Sequence, residues 1–172
     1  MSSDSAPVHA AKLGSEEFRR ACSRFATGIT VASVLDASGM PLGLTVNSFS
    51  SVSLDPPLVL ICLGHAVSII DAFRESKHFG INVLDDSQQH LSERFARKGE
   101  DRFDGLEWYR GETGVPLLQG MLAVMECEVR ERVTAGDHDI FVAEMVRAEA
   151  REGKPLIYYG SKYRVLAPNE YE

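Results

Sequence analysis

Hydrophobic positions recur along this chain at two periods, and the change from one to the other marks out its elements. Phe18, Ala21, Cys22 and Phe25 fall at helical spacing after Ser15, which can cap a helix whose first turn carries Glu16 and Glu17. This predicts an amphipathic helix from residue 15, ended by Gly28. Residues 29–35 are apolar or β-branched but for Ser33, Asp36-Ala37-Ser38-Gly39 reads as a turn, and a second short run starts at Pro41, together a β-hairpin. Residues 58–63 form an apolar run directly after Pro56-Pro57, which suits a buried strand better than a helix. Residues 69–76 and 88–97 have helical patterns, with a strand predicted between them at 78–84.

The alternation over residues 122–133 is the cleanest in the chain. Ala123, Met125, Cys127, Val129 and Val133 share one face, and Glu126, Glu128, Arg130 and Arg132 share the other, predicting a long antiparallel strand with one wet face. Ala135-Gly136-Asp137-His138 supplies a turn, residues 140–146 a return strand, and residues 156–159 and 163–166 two short runs punctuated by Gly160. Many short strands and few long helices predict a mainly β chain, an antiparallel barrel or sandwich with helical insertions, rather than a doubly wound parallel sheet. Neither internal repeats nor low-complexity segments interrupt it.

The chain has 172 residues, enough for one domain with a sizeable core and no staples. Residues 1–14 read as a flexible arm, 15–168 as the domain and 169–172 as a tail. A formal charge of −7 disfavours the broad basic footprint of nucleic-acid binding. Cys22, Cys62 and Cys127 are odd in number and lack Cys-x-x-Cys spacing, so neither a disulfide framework nor a metal site is expected. No apolar run approaches membrane-spanning length, and residues 1–11 have no export signal, so the expected location is the cytoplasm.

Chemistry concentrates in residues 43–57, Gly-Leu-Thr-Val-Asn-Ser-Phe-Ser-Ser-Val-Ser-Leu-Asp-Pro-Pro, where hydroxyls and an amide crowd between two apolar strands. By residue type, two readings stay open: a surface loop whose Ser and Asn satisfy their own backbone, or a polar wall for a planar hydrogen-bonding ligand. No Gly-x-Gly-x-x-Gly and no Gly-x-x-x-x-Gly-Lys-Ser/Thr loop is present, which disfavours a Rossmann dehydrogenase. His138 reads either as an exposed turn residue or as a positioning group. Arg102 reads either as an ion-pair partner of Glu100, Asp101 and Asp104 or as a phosphate ligand. Ser68 reads as a helix N-cap, a place that also suits a phosphate, and Tyr158, Tyr159 and Tyr163 as core residues or stacking platforms.

The run Gly-x-Thr-x-Asn-Ser-Phe-x-Ser-Val-Ser-x-Asp-Pro-Pro resembles the signature of the short-chain flavin reductases, with their FMN-binding split barrel. The likeness continues through Cys62, Phe79-Gly80-Ile81-Asn82-Val83-Leu84, Phe95-Ala96, Asp101-Arg102-Phe103 and Gly136-Asp137-His138-Asp139. The resemblance implies a six-stranded antiparallel split β-barrel that dimerises. It also implies hydride transfer from NADH or NADPH to FMN or FAD, with reduced flavin passing to a separate flavin-dependent monooxygenase. Carried onto this sequence, it places Thr45, Val46, Asn47 and Ser48 along the isoalloxazine edge and Ser53, Cys62 and Leu63 by the ring and ribityl chain. Ser68, Arg102 and Phe103 fall near the phosphate, and His138 beside the nicotinamide. The rivals are an FMN-binding protein without turnover and a flavin-dependent oxidase on the same barrel.

Overall fold

The computed structural model describes residues 13–99 and 101–167, so the expected arm up to residue 12, Glu100 and the tail from residue 168 lie outside the described residues. In chain order the elements are α1 (Ser15–Cys22), β1 (Thr27–Gly28), β2 (Thr30–Leu35), β3 (Pro41–Val46), β4 (Ser50–Leu54), β5 (Pro57–Gly64), α2 (Ile70–Glu75) and β6 (His78–Val83). A 3-10 turn (Asp86–Gln88) follows, then α3 (Gln89–Ala96), β7 (Trp108–Arg110), β8 (Pro116–Leu118), β9 (Ala123–Ala135), β10 (His138–Ala150), β11 (Ile157–Tyr159) and β12 (Lys162–Arg164).

One antiparallel sheet dominates, in the order β3-β2-β6-β9-β10-β5-β4. It has seven strands rather than six because the hydroxyl-rich segment 50–54 turns at Asp55-Pro56 and pairs back on β5, Ser50 opposite Leu60 and Leu54 opposite Pro57. An edge strand tolerates such polar composition, since one flank meets solvent. Among the described residues no pairing joins β3 to β4, yet the sheet is curled. Leu44 and Val46 of β3 share a single core with Val59, Ile61 and Leu63 of β5, which a flat sheet would hold several strands apart. Phe73 of α2 plugs this concave core, touching Phe79 and Phe141 with ring centroids 6.3 and 6.2 Å apart.

A second core lies on the outer face, where Ile29, Val31, Leu84, Leu91, Phe95, Phe103 and Leu156 meet under α3. Lying between two cores, β2 is buried on both faces, which explains why apolar residues occupy both phases of the strand, while the buried hydroxyls of Thr30 and Ser33 donate to Val46 O and Pro116 O. The β7–β8 hairpin, not foreseen in the sequence, is fastened here by Asn82. Its amide donates to Val31 O (3.0 Å) and Ser33 Oγ (3.1 Å), and its Oδ1 accepts from Leu118 N at 2.8 Å. Gly80 permits this approach: a Cβ there would lie 2.6 Å from Ser33 Oγ and 3.0 Å from Pro116 O.

Three local expectations change. Helix α1 is capped by Gly14, without a side-chain bond, and ends at Cys22. Ser23 Oγ closes it by donating to Arg20 O at 2.8 Å, and Gly28 belongs instead to β1, opposite Ile157. On β9 the predicted wet face is interrupted, because Glu126 is buried. Its carboxylate accepts from Glu112 N (3.0 Å), Thr113 N (2.6 Å) and Thr113 Oγ1 (2.5 Å), partners that replace water. Val133, expected inside, is exposed, for it lies past the core and past the break in β9–β10 pairing between Val142 and Ala143.

Candidate functional site

Register places the most suggestive residues together on the outer face of β5 and β10. Cys62 lies opposite Ile140 and Gly64 opposite His138, and directly paired residues share a face. His138 is therefore two residues, roughly 7 Å, along the sheet from the Cys62 position. Gly64 leaves the floor flat beside it, since a Cβ there would come within 3.4 Å of the His138 Nε2. The inward residues of the same strands, Leu63, Phe141 and Ala143, are core.

Ser48 borders this floor. Its hydroxyl donates to Cys62 O at 3.0 Å and accepts from Cys62 N at 2.9 Å, so it acts as a substitute strand where β4 has stopped pairing with β5. Its one proton is thereby committed to the protein. Burial pushes the Cys62 thiol above its ordinary pKa, against a lowering by Ser48, which keeps it a neutral wall rather than a nucleophile.

His138 is exposed and its ring is oriented by its neighbour, with Nδ1 2.7 Å from Asp137 Oδ1. A carboxylate only accepts, so Nδ1 carries the proton and, in the neutral ring, Nε2 presents a lone pair. The bond to His138 also lowers the pKa of Asp137. Behind His138 stands a group that sequence reasoning missed. Asp139 is 1% exposed and accepts from Arg74 Nε (2.8 Å), Thr134 Oγ1 (2.9 Å) and His65 Nε2 (3.1 Å). The Arg74 bond, ahead of those from Thr134 and His65, holds its carboxyl far below the usual range against the opposing effect of burial. A signal was present: Asp139 is the charged member of the inward phase shared with Phe141 and Ala143.

The other candidates fall elsewhere. Ser68, Arg102 and Phe103 meet, with Gly43 and Leu42, around a cavity of about 210 Å³. Arg102 is held there by donating to Gly43 O (2.5 Å) and to Arg97 O. Ser68 is not a cap, for Ile69 occupies that position, and the serine is left exposed at the cavity. Phe103 is chiefly core, edge-on to Phe95 with centroids 5.1 Å apart. Thr45 points the other way, donating to Ser92 O at 2.6 Å, and with Asn47, Tyr158 and Tyr163 borders a separate opening. Tyr158 and Tyr163 stack edge-on with each other. Val46 and Leu63 lie in the inner core, buried and paired within the sheet; Ser53, half-buried, follows the bulge in β4. The donor set nonetheless suits a flavin mononucleotide moiety: a guanidinium and a hydroxyl at one cavity, and, apart from it, a flat, weakly polar floor with a histidine on the face of β5 and β10.

A flavin reductase like domain model matches residues 22–167. The chain belongs to that family. It is 46% identical over 149 residues to the FMN reductase (NADH) SmoA of Agrobacterium fabrum, covering 87% of this chain and 84% of that one. It is 36% identical over 156 residues to the reductase component of a 4-nitrophenol 4-monooxygenase/4-nitrocatechol 2-monooxygenase of Rhodococcus opacus, covering 91% and 83%. Among solved structures, an NADH:FAD oxidoreductase of Streptomyces globisporus in complex with NAD and FAD fragments superposes with a TM-score of 0.85 at 36% identity, over 90% of this chain and 94% of that one. Several longer relatives are spanned for only 42–55% of their length. The family's mainly β architecture is the one seen here. Among the described residues no three His, Cys, Asp or Glu side chains converge as a metal would require, and no helix is long and apolar enough to cross a membrane.

Proposed function

We propose that this flavin reductase family member is an NAD(P)H:flavin oxidoreductase that supplies reduced FMN or FAD to a separate flavin-dependent monooxygenase. The observation that carries the reading is the shared outer face of β5 and β10, where Cys62, Gly64 and Ile140 make a flat floor bordered by Ser48 and His138. The relatives' names as NADH-dependent flavin reductases and as a monooxygenase reductase component support it.

In this reading the flavin and nicotinamide supply the hydride chemistry, and the chain contributes geometry. Arg102 and Ser68 hold the flavin phosphate. Ser48 fixes the Cys62 backbone at the ring edge, with Thr45, Val46, Asn47, Ser53 and Leu63 contributing mainly backbone and shape around it. His138, its tautomer set by Asp137, offers Nε2 as acceptor to a nicotinamide carboxamide and so orients the donor. The curled sheet acts as the family's split barrel, formed by residues 15–168, in the cytoplasm. A homodimer is supported by the apolar groups left exposed on α1 and β4, among them Phe18, Val52 and Leu54.

The test is spectrophotometric oxidation of NADH and NADPH with FMN or FAD present. Flavin-dependent turnover is expected with at least one pair; no oxidation above the protein-free rate with any pair overturns the proposal.

A further inference from the structure

The Asp139 cluster has no part in the chemistry above, yet it is the most tightly enclosed charged group near the floor. Three elements and a connecting segment converge on one buried carboxylate: β10 carries it, Arg74 comes from α2, Thr134 from β9, and His65 from the segment after β5. A backbone bond reinforces the same junction, with His65 N donating to Asp137 O at 2.9 Å. Arg74 is itself steadied by Asp71, 3.1 Å away across one helical turn. Asp137 and Asp139 flank His138 on either side. The residue before the histidine is tethered through its carbonyl and the residue after it through its side chain.

We infer that Asp139, with Arg74, His65 and Thr134, is a positioning clamp that sets where His138 meets the nicotinamide. The inference rests on the proposed role of His138. The physical argument is leverage. His138 begins β10 next to a two-residue turn; its backbone pairs with Gly64 and Ala135 and its ring rests beside Gly64 and Asp137, but the side chain is half exposed at the edge of the turn. Turn tips fray readily. Beyond that pairing, what resists fraying here is the inward neighbour, whose charge is satisfied only while α2, β9 and the segment after β5 keep their places. A shift of the order of 1 Å in a positioning group can cost about a hundredfold in rate, so the clamp has scope to govern catalysis without touching a substrate.

The experiment is a double-mutant cycle on the full chain, reading kcat and KM for NADH (or NADPH, whichever is used) and flavin Kd by fluorescence. Asp139→Asn is expected to lower kcat/KM for the nucleotide by about tenfold, mostly through KM, with flavin Kd changed less than about twofold. In a His138→Ala background the same substitution should produce almost no further loss, because the group it positions is gone. Thr134→Val and His65→Gln, each removing one partner from a more accessible place, should give smaller losses in the same pattern and serve if Asp139→Asn does not fold. Arg74→Lys should recover part of what Arg74→Gln loses. Equal losses with and without His138, or parallel losses in flavin affinity, would mark a merely structural cluster and overturn the clamp. If His138→Ala leaves nucleotide kinetics unchanged, the reading of His138 fails and the clamp with it. A His138 effect without any effect of Asp139 or its partners overturns the clamp alone.

Discussion

Ser48→Ala separates two ways in which a signature serine can matter. The Ser48 hydroxyl makes two hydrogen bonds to one residue, to Cys62 O at 3.0 Å and from Cys62 N at 2.9 Å. Each bond of this kind contributes about 1 kcal/mol net, and the half-buried setting admits some water to the broken partners, so a loss of about 1–2 kcal/mol is expected. For a domain of this size 1 kcal/mol moves Tm by roughly 2–4 °C, giving a fall of about 2–8 °C on thermal unfolding. Flavin affinity should weaken with it, by about three- to tenfold, because the freed Cys62 backbone no longer holds the ring edge; tenfold corresponds to about 1.4 kcal/mol. Ser48→Thr keeps the hydroxyl and should restore both quantities in large part. A substantial loss of flavin binding with Tm unmoved would refute the reasoning, since it would mean that the hydroxyl serves the ligand directly and the Cys62 bridge is incidental.

Other substitutions test separate links. Asn82→Ala removes three bonds at a fully buried position and should cost about 3 kcal/mol, detectable as a lower urea midpoint; a change under about 1 kcal/mol would show that β7–β8 is not held there. His138→Ala should raise KM for the nucleotide with flavin Kd almost unchanged, and an unaltered KM and turnover would discredit its assigned role. Asp85 is held at a pKa of about 2, first by the Ser87 backbone N–H and then by its hydroxyl and Arg151. A depressed folded pKa adds stability above the ordinary value of 3.8 and loses it as pH falls toward about 2. Asp85→Asn should therefore flatten stability against pH between about 4 and 2; unchanged acid sensitivity in urea melts would contradict the assignment.

Much of this architecture was written in local pattern. The alternation of β9, its return as β10, the apolar run of β5 and the turn before β3 each follow from side-chain direction and turn chemistry within a few residues. The signature between Gly43 and Pro57 likewise announces polar chemistry by residue type alone. What the sequence left open was which hydroxyls were free. Thr45 spends its hydroxyl on Ser92, 47 positions away, and Ser48 on Cys62, 14 positions away, partners that only the curled sheet and α3 bring within reach.

Asp139 shows the same division. Its inward phase on β10 was legible from Phe141 and Ala143, but a carboxylate there is tolerable only because Arg74 arrives from 65 positions earlier and His65 from 74. Local sequence determines the direction in which a side chain leaves the backbone. Whether it meets water, a ligand or a partner is decided by chain segments remote in sequence, since burial and hydrogen bonding depend on distance in space.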